Sequence, residues 1–279
     1  RDILDSAHTN LGSYRRSVEE HESSEYHLLK SRLIGEAIYR EKPELGLVEL
    51  GVVYSNLGKL YISLKDSVNA EKFLFKALEI RKKMVEKNPH AFQPSLSTSY
   101  NDMGVFYGDC FNFQEGIKWI GQSIHLLENM IHQEEKTRIV DLVKNYCNIA
   151  SIYDIMDSLS SAEHYYLKSL NYIRDYPELD FGMIHQSALI SLTALYLYFD
   201  HPDYLHYHRL MTEMLEADTY AEAIHWAIHG NGSIALKHSA ARTARYYEES
   251  VKLYEQTLRK GKIRNEVAAI EFGHTMGLF

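Results

Sequence analysis

A chain of 279 residues with 45% apolar side chains can bury a large core, yet it exceeds the usual size of one compact globule, so it is two domains or one elongated array. The formal charge of −8 argues against a general phosphate-backbone binder, whose affinity needs clustered Lys and Arg. The longest uncharged stretch, Met183 to Phe199, is too short and too interrupted by Gln186, Ser187, Ser191 and Thr193 for a bilayer, and Cys110 and Cys147 are too few for a disulfide framework.

In chain order, Leu11-Gly12 opens a pattern that returns at Leu57-Gly58, Met103-Gly104 and Ile149-Ala150, each pair 46 residues after the last. If these pairs hold positions 7 and 8, then position 4 carries His8, Tyr54, Tyr100 and Tyr146, and position 11 carries Arg15, Tyr61, Tyr107 and Tyr153. Position 20 is small throughout: Ser24, Ala70, Gly116 and Ala162. Small residues let two helices approach closely while the aromatic residues fill the space between them, so each period predicts one antiparallel helix pair. Pro43 and Pro89 repeat at the same interval and are expected to end the second helices, since proline lacks the N–H a helix interior needs. Four such pairs cover residues 5–175. A degenerate region over 176–264 predicts a fifth pair through Leu189, Leu192 and Tyr196, with Tyr204 and Leu205 opening its second helix. A sixth is expected from Glu222 to Ser233 and from Ala240 to Leu258, although Gly230-Asn-Gly232 reads equally as a loop, and residues 265–279 hold a terminal helix, Asn265 to Phe272, and tail. Five prolines and fifteen glycines, with no Pro-rich or Ser/Gly-rich run, leave no visible linker, so one continuous array over 1–279 is the simpler expectation.

The segment Tyr54-Ser-Asn-Leu57-Gly58-Lys-Leu-Tyr61, followed by Ala70, Leu74 and Ala77, resembles the signature of the tetratricopeptide repeat superfamily. The run from Ala77 to Pro89, followed by Phe92 to Gly104, is similar to the lengthened repeats of bacterial sensor and signalling proteins. This resemblance implies an all-α, right-handed superhelical solenoid of five to six hairpins plus a C-terminal helix, its first helices lining a concave channel. It implies further that positions 5, 9 and 12 face that channel. These are Thr9, Ser13 and Arg16; Ser55, Lys59 and Ile62; Asn101, Val105 and Gly108; and Cys147, Ser151 and Asp154. Partner contacts are expected at Ser55, Lys59, Ile62, Asn101, Val105, Cys147, Ser151 and Asp154. Superfamily members that bind chaperone tails use a lysine and asparagine clamp, of which only fragments remain at Ser55, Lys59 and Asn101. Asn10, Asn56, Asp102 and Asn148 share position 6, where a polar side chain is expected to bond the backbone of the adjacent hairpin.

Chemistry is harder to find. His201, His206 and His208 lie close in sequence, as do Glu222, His225 and His229, but no His-Glu-x-x-His order occurs, so no metal and no cofactor is expected. Cys147 falls inside a periodic helix and is read as a filler or groove-facing thiol. Between Lys237 and Arg264 eight basic residues face three acidic ones, a local +5 that leaves −13 elsewhere, read as a solvated face or a site for an acidic partner. Tyr196, Tyr198, Tyr204 and Tyr207 are read as degenerate core or an interface patch. Three functions stay open: a scaffold that holds a protein or peptide in its groove, a switch that senses a ligand and controls a fused effector, and an enzyme with a site after about residue 176. A cytoplasmic setting, excision from a longer polypeptide, and self-association through terminal hairpins complete the expectations.

Overall fold

A computed structural model describes residues 2–132, 136–214, 226 and 239–259, apart from the side chains of 2, 3, 257 and 258. All regular structure among them is helical: α1 (Asp2–Ser17), α2 (His21–Glu41), α3 (Pro43–Ser63), α4 (Ser67–Lys87), α5 (Pro89–Asp109), α6 (Phe113–His132), a 3₁₀ turn (Lys136–Arg138), α7 (Ile139–Ile155), α8 (Leu159–Asp175), α9 (Met183–Tyr198), α10 (Tyr204–Met214) and α11 (Ala240–Arg259). The chain forms two compact units, Arg1–Asn145 and Tyr146–Phe279, whose division falls within α7. The expected first helix of a sixth pair, Glu222 to Ser233, and the terminal helix from Asn265 to Phe272 lie outside the described residues.

The first unit is built from the pairs α1/α2, α3/α4 and α5/α6, with α2 packing also on α3 and α4 on α5. Its core joins Leu28, Leu50, Val53, Tyr54, Leu57 and Phe73 in one cluster and Ala70, Leu74, Leu96, Met103 and Phe106 in another. Burying a leucine as completely as Leu57 contributes about 2 kcal/mol relative to leaving it exposed. Glycine at position 8 of the first three repeats has a steric reason, and only the fourth carries alanine there, at Ala150. A Cβ on Gly58 would lie 2.6 Å from Leu74, and one on Gly104 would lie 2.3 Å from Ile120, so a methyl group there forces the two helices of a pair apart.

The five first helices among the described residues end in the same turn. Glu19, Lys65, Phe111 and Asp157 adopt positive φ values of 61°, 57°, 59° and 54°, each 46 residues apart, and Asp200 follows after 43 with φ 50°. The residue after each donates its N–H five residues back, as Asp66 does to Tyr61 and His201 to Tyr196, closing the Schellman arrangement that satisfies the last carbonyls. Asp66 then caps α4, its carboxylate accepting from the Asn69 N–H at 3.0 Å.

Pro43 and Pro89 take the opposite role from the one expected. Each is the first residue of a first helix, α3 and α5, with only Lys42 or Asn88 separating it from the helix before. The first turn has no N–H partner to lose, so proline fits there, and Asn88 adds a cap by accepting from the Ala91 N–H at 3.3 Å. The long repeat thus arises from 21-residue first helices that begin 11 residues before the aromatic residue at position 4.

A hydrogen bond between successive repeats marks the same register. The Tyr61 hydroxyl donates to Glu25 at 2.6 Å and that of Tyr107 to Glu71 at 2.7 Å, each across 36 residues. In the second unit Tyr196 donates to Glu163 at 2.5 Å across 33 residues. Tyr196 therefore stands at position 11 of a fifth repeat, 43 residues after Tyr153, with its ring inside the cluster of Ala150, Ala162, Tyr166, Leu192 and Leu195. Tyr204 and Tyr207 pack against that cluster, so this tyrosine group belongs to the core.

Candidate functional site

In the first unit the stripe of positions 5, 9 and 12 is tied to the neighbouring first helix. Ser55 on α3 is buried, and its Oγ donates to Oδ2 of Asp102 on α5 at 2.7 Å. The Lys59 ammonium reaches the same oxygen at 2.9 Å, with its side chain 32% exposed against 7% for Asp102. Asp102 at position 6 bonds the adjacent hairpin as expected, but through the side chains of Ser55 and Lys59 rather than its backbone. Buried beside it, Arg81 of α4 donates from Nη1 to Ser99 Oγ at 2.7 Å. Burial pushes the Arg81 guanidinium down from its ordinary value while the Asp102 charge opposes the fall. Asn101 is buried, and Val105 is half-buried. Ile62 lines a cavity of about 450 Å³ with Phe106, Asp109, Cys110 and Phe111 at the turn ends of α3 and α5. Thr9, one repeat earlier, is buried on Ser31, whose hydroxyl also meets the buried Asp5.

The stripe is differently engaged in the second unit. Cys147 is half-buried, burial pushes its thiol up to about 11, and a Ser169 hydrogen bond works the other way, so it is a poor nucleophile near neutrality. Ser151 is exposed. Asp154 meets Arg242, which comes from α11 and is only 1% exposed. The guanidinium bonds the Asp154 carboxylate through Nη2, the Asp154 carbonyl through Nη1 at 2.9 Å and Asp157 Oδ1 at 3.1 Å. It lies 5.1 Å from the centre of the Tyr198 ring and donates through Nε to the Tyr246 hydroxyl at 3.0 Å. Burial alone would push Arg242 down, but Asp154 and Tyr246 more than offset this and hold it charged. Arg245 extends the contact, reaching Asp200 at 2.7 Å. Arg242 therefore departs from the solvated-face reading of the basic segment, whereas Arg245, Lys252 and Arg259 are 40%, 60% and 80% exposed and fit it.

A cavity of about 660 Å³ also opens in the second unit, floored by Leu167, Leu170, Phe181 and Leu189 and rimmed by Arg174, His185 and His206. The clustered histidines disperse. His201 stacks on Tyr196 with ring centres 4.0 Å apart, His206 faces that cavity and His208 lies against Tyr204. Glu222, His225 and His229 lie outside the described residues, as does the glycine pair at 230 and 232. Among the described residues no three His, Cys, Asp or Glu side chains converge as metal ligands, and no helix is long and apolar enough to cross a membrane.

These features define a class, an all-α protein of helix-pair repeats whose first helices carry a polar stripe. Within that class the tetratricopeptide repeat profile matches residues 52–84 and 143–176, the pairs built on α3/α4 and α7/α8, and these segments are tetratricopeptide repeats. The fold is shared with tetratricopeptide-containing sensor proteins. A signal-transduction ATPase with numerous domains and a tetratricopeptide repeat sensor, from Pyrococcus horikoshii, aligns over 93% of this chain and 37% of its own length, with a TM-score of 0.61 and 15% identity. The apo form of RapI aligns over 98% of this chain and 91% of its own, with a TM-score of 0.59 and 14% identity. The Rap conjugation gene regulator of plasmid pLS20, solved in complex with the Phr* peptide, aligns over 90% and 74% with a TM-score of 0.58 and 14% identity. Comparison with curated protein sequences gives no significant match.

Arg81 and Arg242 are the site residues that sequence reasoning missed. Arg81 falls on a second helix where the other repeats carry Gly35, Leu127 and Ile173, so a charge at that register was the available signal. For Arg242 the signal was weaker, the local +5 set against an acidic remainder.

Proposed function

We propose that this chain is a protein-interaction scaffold whose guest is a peptide or extended segment laid against positions 5, 9 and 12 of its first helices. The observation that carries this reading is the bridge from Ser55 and Lys59 to Asp102. It fixes the stripe of one first helix to the next and holds the Lys59 ammonium in a set position while leaving about a third of that side chain exposed. A donor held in place loses less freedom on binding than a mobile one, so it reads a guest acceptor at lower entropic cost. Ile62 and Val105 flank it with half-buried apolar surface for a side chain. Lys59 and Arg81 set two cations against the one carboxylate of Asp102, which favours a guest carbonyl or carboxylate. The pLS20 Rap regulator holding a peptide supports a peptide as guest. The reading carries no catalytic step and fits a module of a larger regulatory or signalling protein in the cytoplasm.

The test is affinity capture with the chain as bait, comparing wild type with Lys59→Glu combined with Asn101→Glu. The wild type retains a specific protein that the double variant releases. If the double variant is folded and retains every partner, the stripe of the first unit is not the site.

A further inference from the structure

The 46-residue register makes departures from it visible, and three consecutive ones fall at the turn that ends α5. Position 13 is Ser17, Ser63 and Ile155 in the first, second and fourth repeats but Asp109 in the third, and position 14 is Val18, Leu64 and Met156 but Cys110. Position 15, the residue of positive φ, is Glu19, Lys65 and Asp157 but Phe111. All three odd residues line the cavity of about 450 Å³ in the first unit. Cysteine is smaller than valine, leucine or methionine, which leaves room at this turn. A phenylalanine in the left-handed region crowds its own backbone, and burial does not repay that cost, because the residue remains 42% exposed. Strain kept without a packing gain points to a use for the side chain.

Charge at the cavity is unbalanced as well. Asp109 forms no ion pair and no side-chain hydrogen bond among the described residues. It is exposed as a residue, yet partial burial pushes its carboxyl above the ordinary value, with no cation offsetting the shift. Burial also pushes the Cys110 thiol up, and the charges of Asp109 and Glu71 push it further. Lys65 lines the same cavity but affects neither group, so its ammonium leaves this wall negative.

We propose that this cavity is a site for a small organic ammonium ion with an apolar body, the class of an arylalkylamine, its charge on the Asp109 carboxylate and its body among Ile62, Phe106 and Phe111. The site goes beyond the scaffold reading and does not depend on a peptide guest. Its volume lies within the roughly 300–1,000 Å³ of pockets that enclose small molecules. Apolar walls with a charged group among them fix a ligand's orientation: the body leaves water for Ile62 and the buried Phe106, and the ammonium meets a carboxylate that lacks a partner among the described residues. An exposed aromatic ring two residues from that carboxylate favours a cation over a neutral group of the same shape. The charges of Asp109 and Glu71 disfavour an anion.

Saturation-transfer NMR titration of the full-length chain with phenethylamine tests this, with phenethyl alcohol as the uncharged probe of the same shape. The amine is expected to bind at least about tenfold more tightly than the alcohol. Asp109→Asn removes the charge, and Cys110→Leu fills the space with the residue that the second repeat carries at position 14. Each is expected to weaken the amine about tenfold or more, with hydrogen exchange at amides 89–109 showing that the variant stays folded. Phe111→Asn suits the left-handed backbone, and is expected to stabilise the first unit against denaturant while weakening the amine at least about threefold. Equal binding of amine and alcohol, or no binding at about 10 mM amine, overturns the proposal. So does amine binding that survives unchanged in folded Asp109→Asn, Cys110→Leu or Phe111→Asn.

Discussion

The same three repeat positions meet different neighbours in the two units. In the first, Ser55 and Lys59 are held by Asp102 of the adjoining first helix, a link within consecutive repeats and 47 residues long for Ser55. In the second, Asp154 is held by Arg242, 88 residues later, and the stripe beside it is covered by a helix running the other way. A repeat register thus determines where these positions lie without determining which element holds them: the next first helix in the first unit, and a helix far along the chain in the second.

The comparison breaks most sharply at a packing contact confined to the first unit. A Cβ on Gly46 would lie 2.3 Å from the Tyr39 Cα, a backbone atom that cannot rotate away. Gly46→Ala is expected to cost about 3 kcal/mol, seen as an earlier denaturation transition for the first unit with the second unchanged. Arg242→Ala acts on the other side. It strands a carboxylate that is only 14% exposed, and should cost the second unit about 2 kcal/mol by the same titration, less than the roughly 3–5 kcal/mol of a fully buried broken pair because the second partner, Asp157, is 41% exposed. Its counterpart Lys59→Ala should cost the first unit only about 1 kcal/mol, since Asp102 keeps the Ser55 hydrogen bond. Equal costs would mean that the two ties are equivalent. The tyrosine–glutamate bonds, by contrast, should not distinguish the units: Tyr107→Phe and Tyr196→Phe each lose one hydrogen bond and about 1 kcal/mol. The smallest effect is a pH dependence in the first hairpin. Burial, then His8 and Arg15, hold His27 below its ordinary value of 6.5, and its ring nitrogen lies 2.9 Å from that of His8. Its contribution is complete above 6.5 and is lost as pH falls through the lower folded value, so thermal unfolding should show slight acid destabilisation that His27→Gln removes.

Much of the fold was legible because tetratricopeptide packing is local and periodic. Leu57-Gly58, Tyr61 and Ala70 each answer to a neighbour within their own pair or the next, so a 46-residue interval carried the helix pairs through residue 175. Pro43 and Pro89 were misassigned because proline suits a helix start as well as a helix stop, and only Asn88 just before Pro89 hinted at a cap. The fifth repeat looked degenerate because α8 has 17 residues where α4 has 21, seven residues rather than one link it to the next first helix, and α9 begins 13 rather than 18 residues before its position-11 tyrosine, a net shortening to 43. Measured from Tyr153, Asp157 and Ser158, that interval lands on Tyr196, Asp200 and His201 and recovers the register. The Arg242–Asp154 contact had no such route, because an ion pair across 88 residues leaves no local spacing to read.

Hydrogen exchange of the full-length chain, wild type against Arg242→Glu, tests most directly whether the two stripes are differently filled. Breaking the Arg242–Asp154 contact loosens α11 and should speed exchange at amides 189–197 by about tenfold or more while leaving amides 50–60 as they were. Unchanged protection of 189–197 in the variant, or an equal loss at 50–60, would contradict the account.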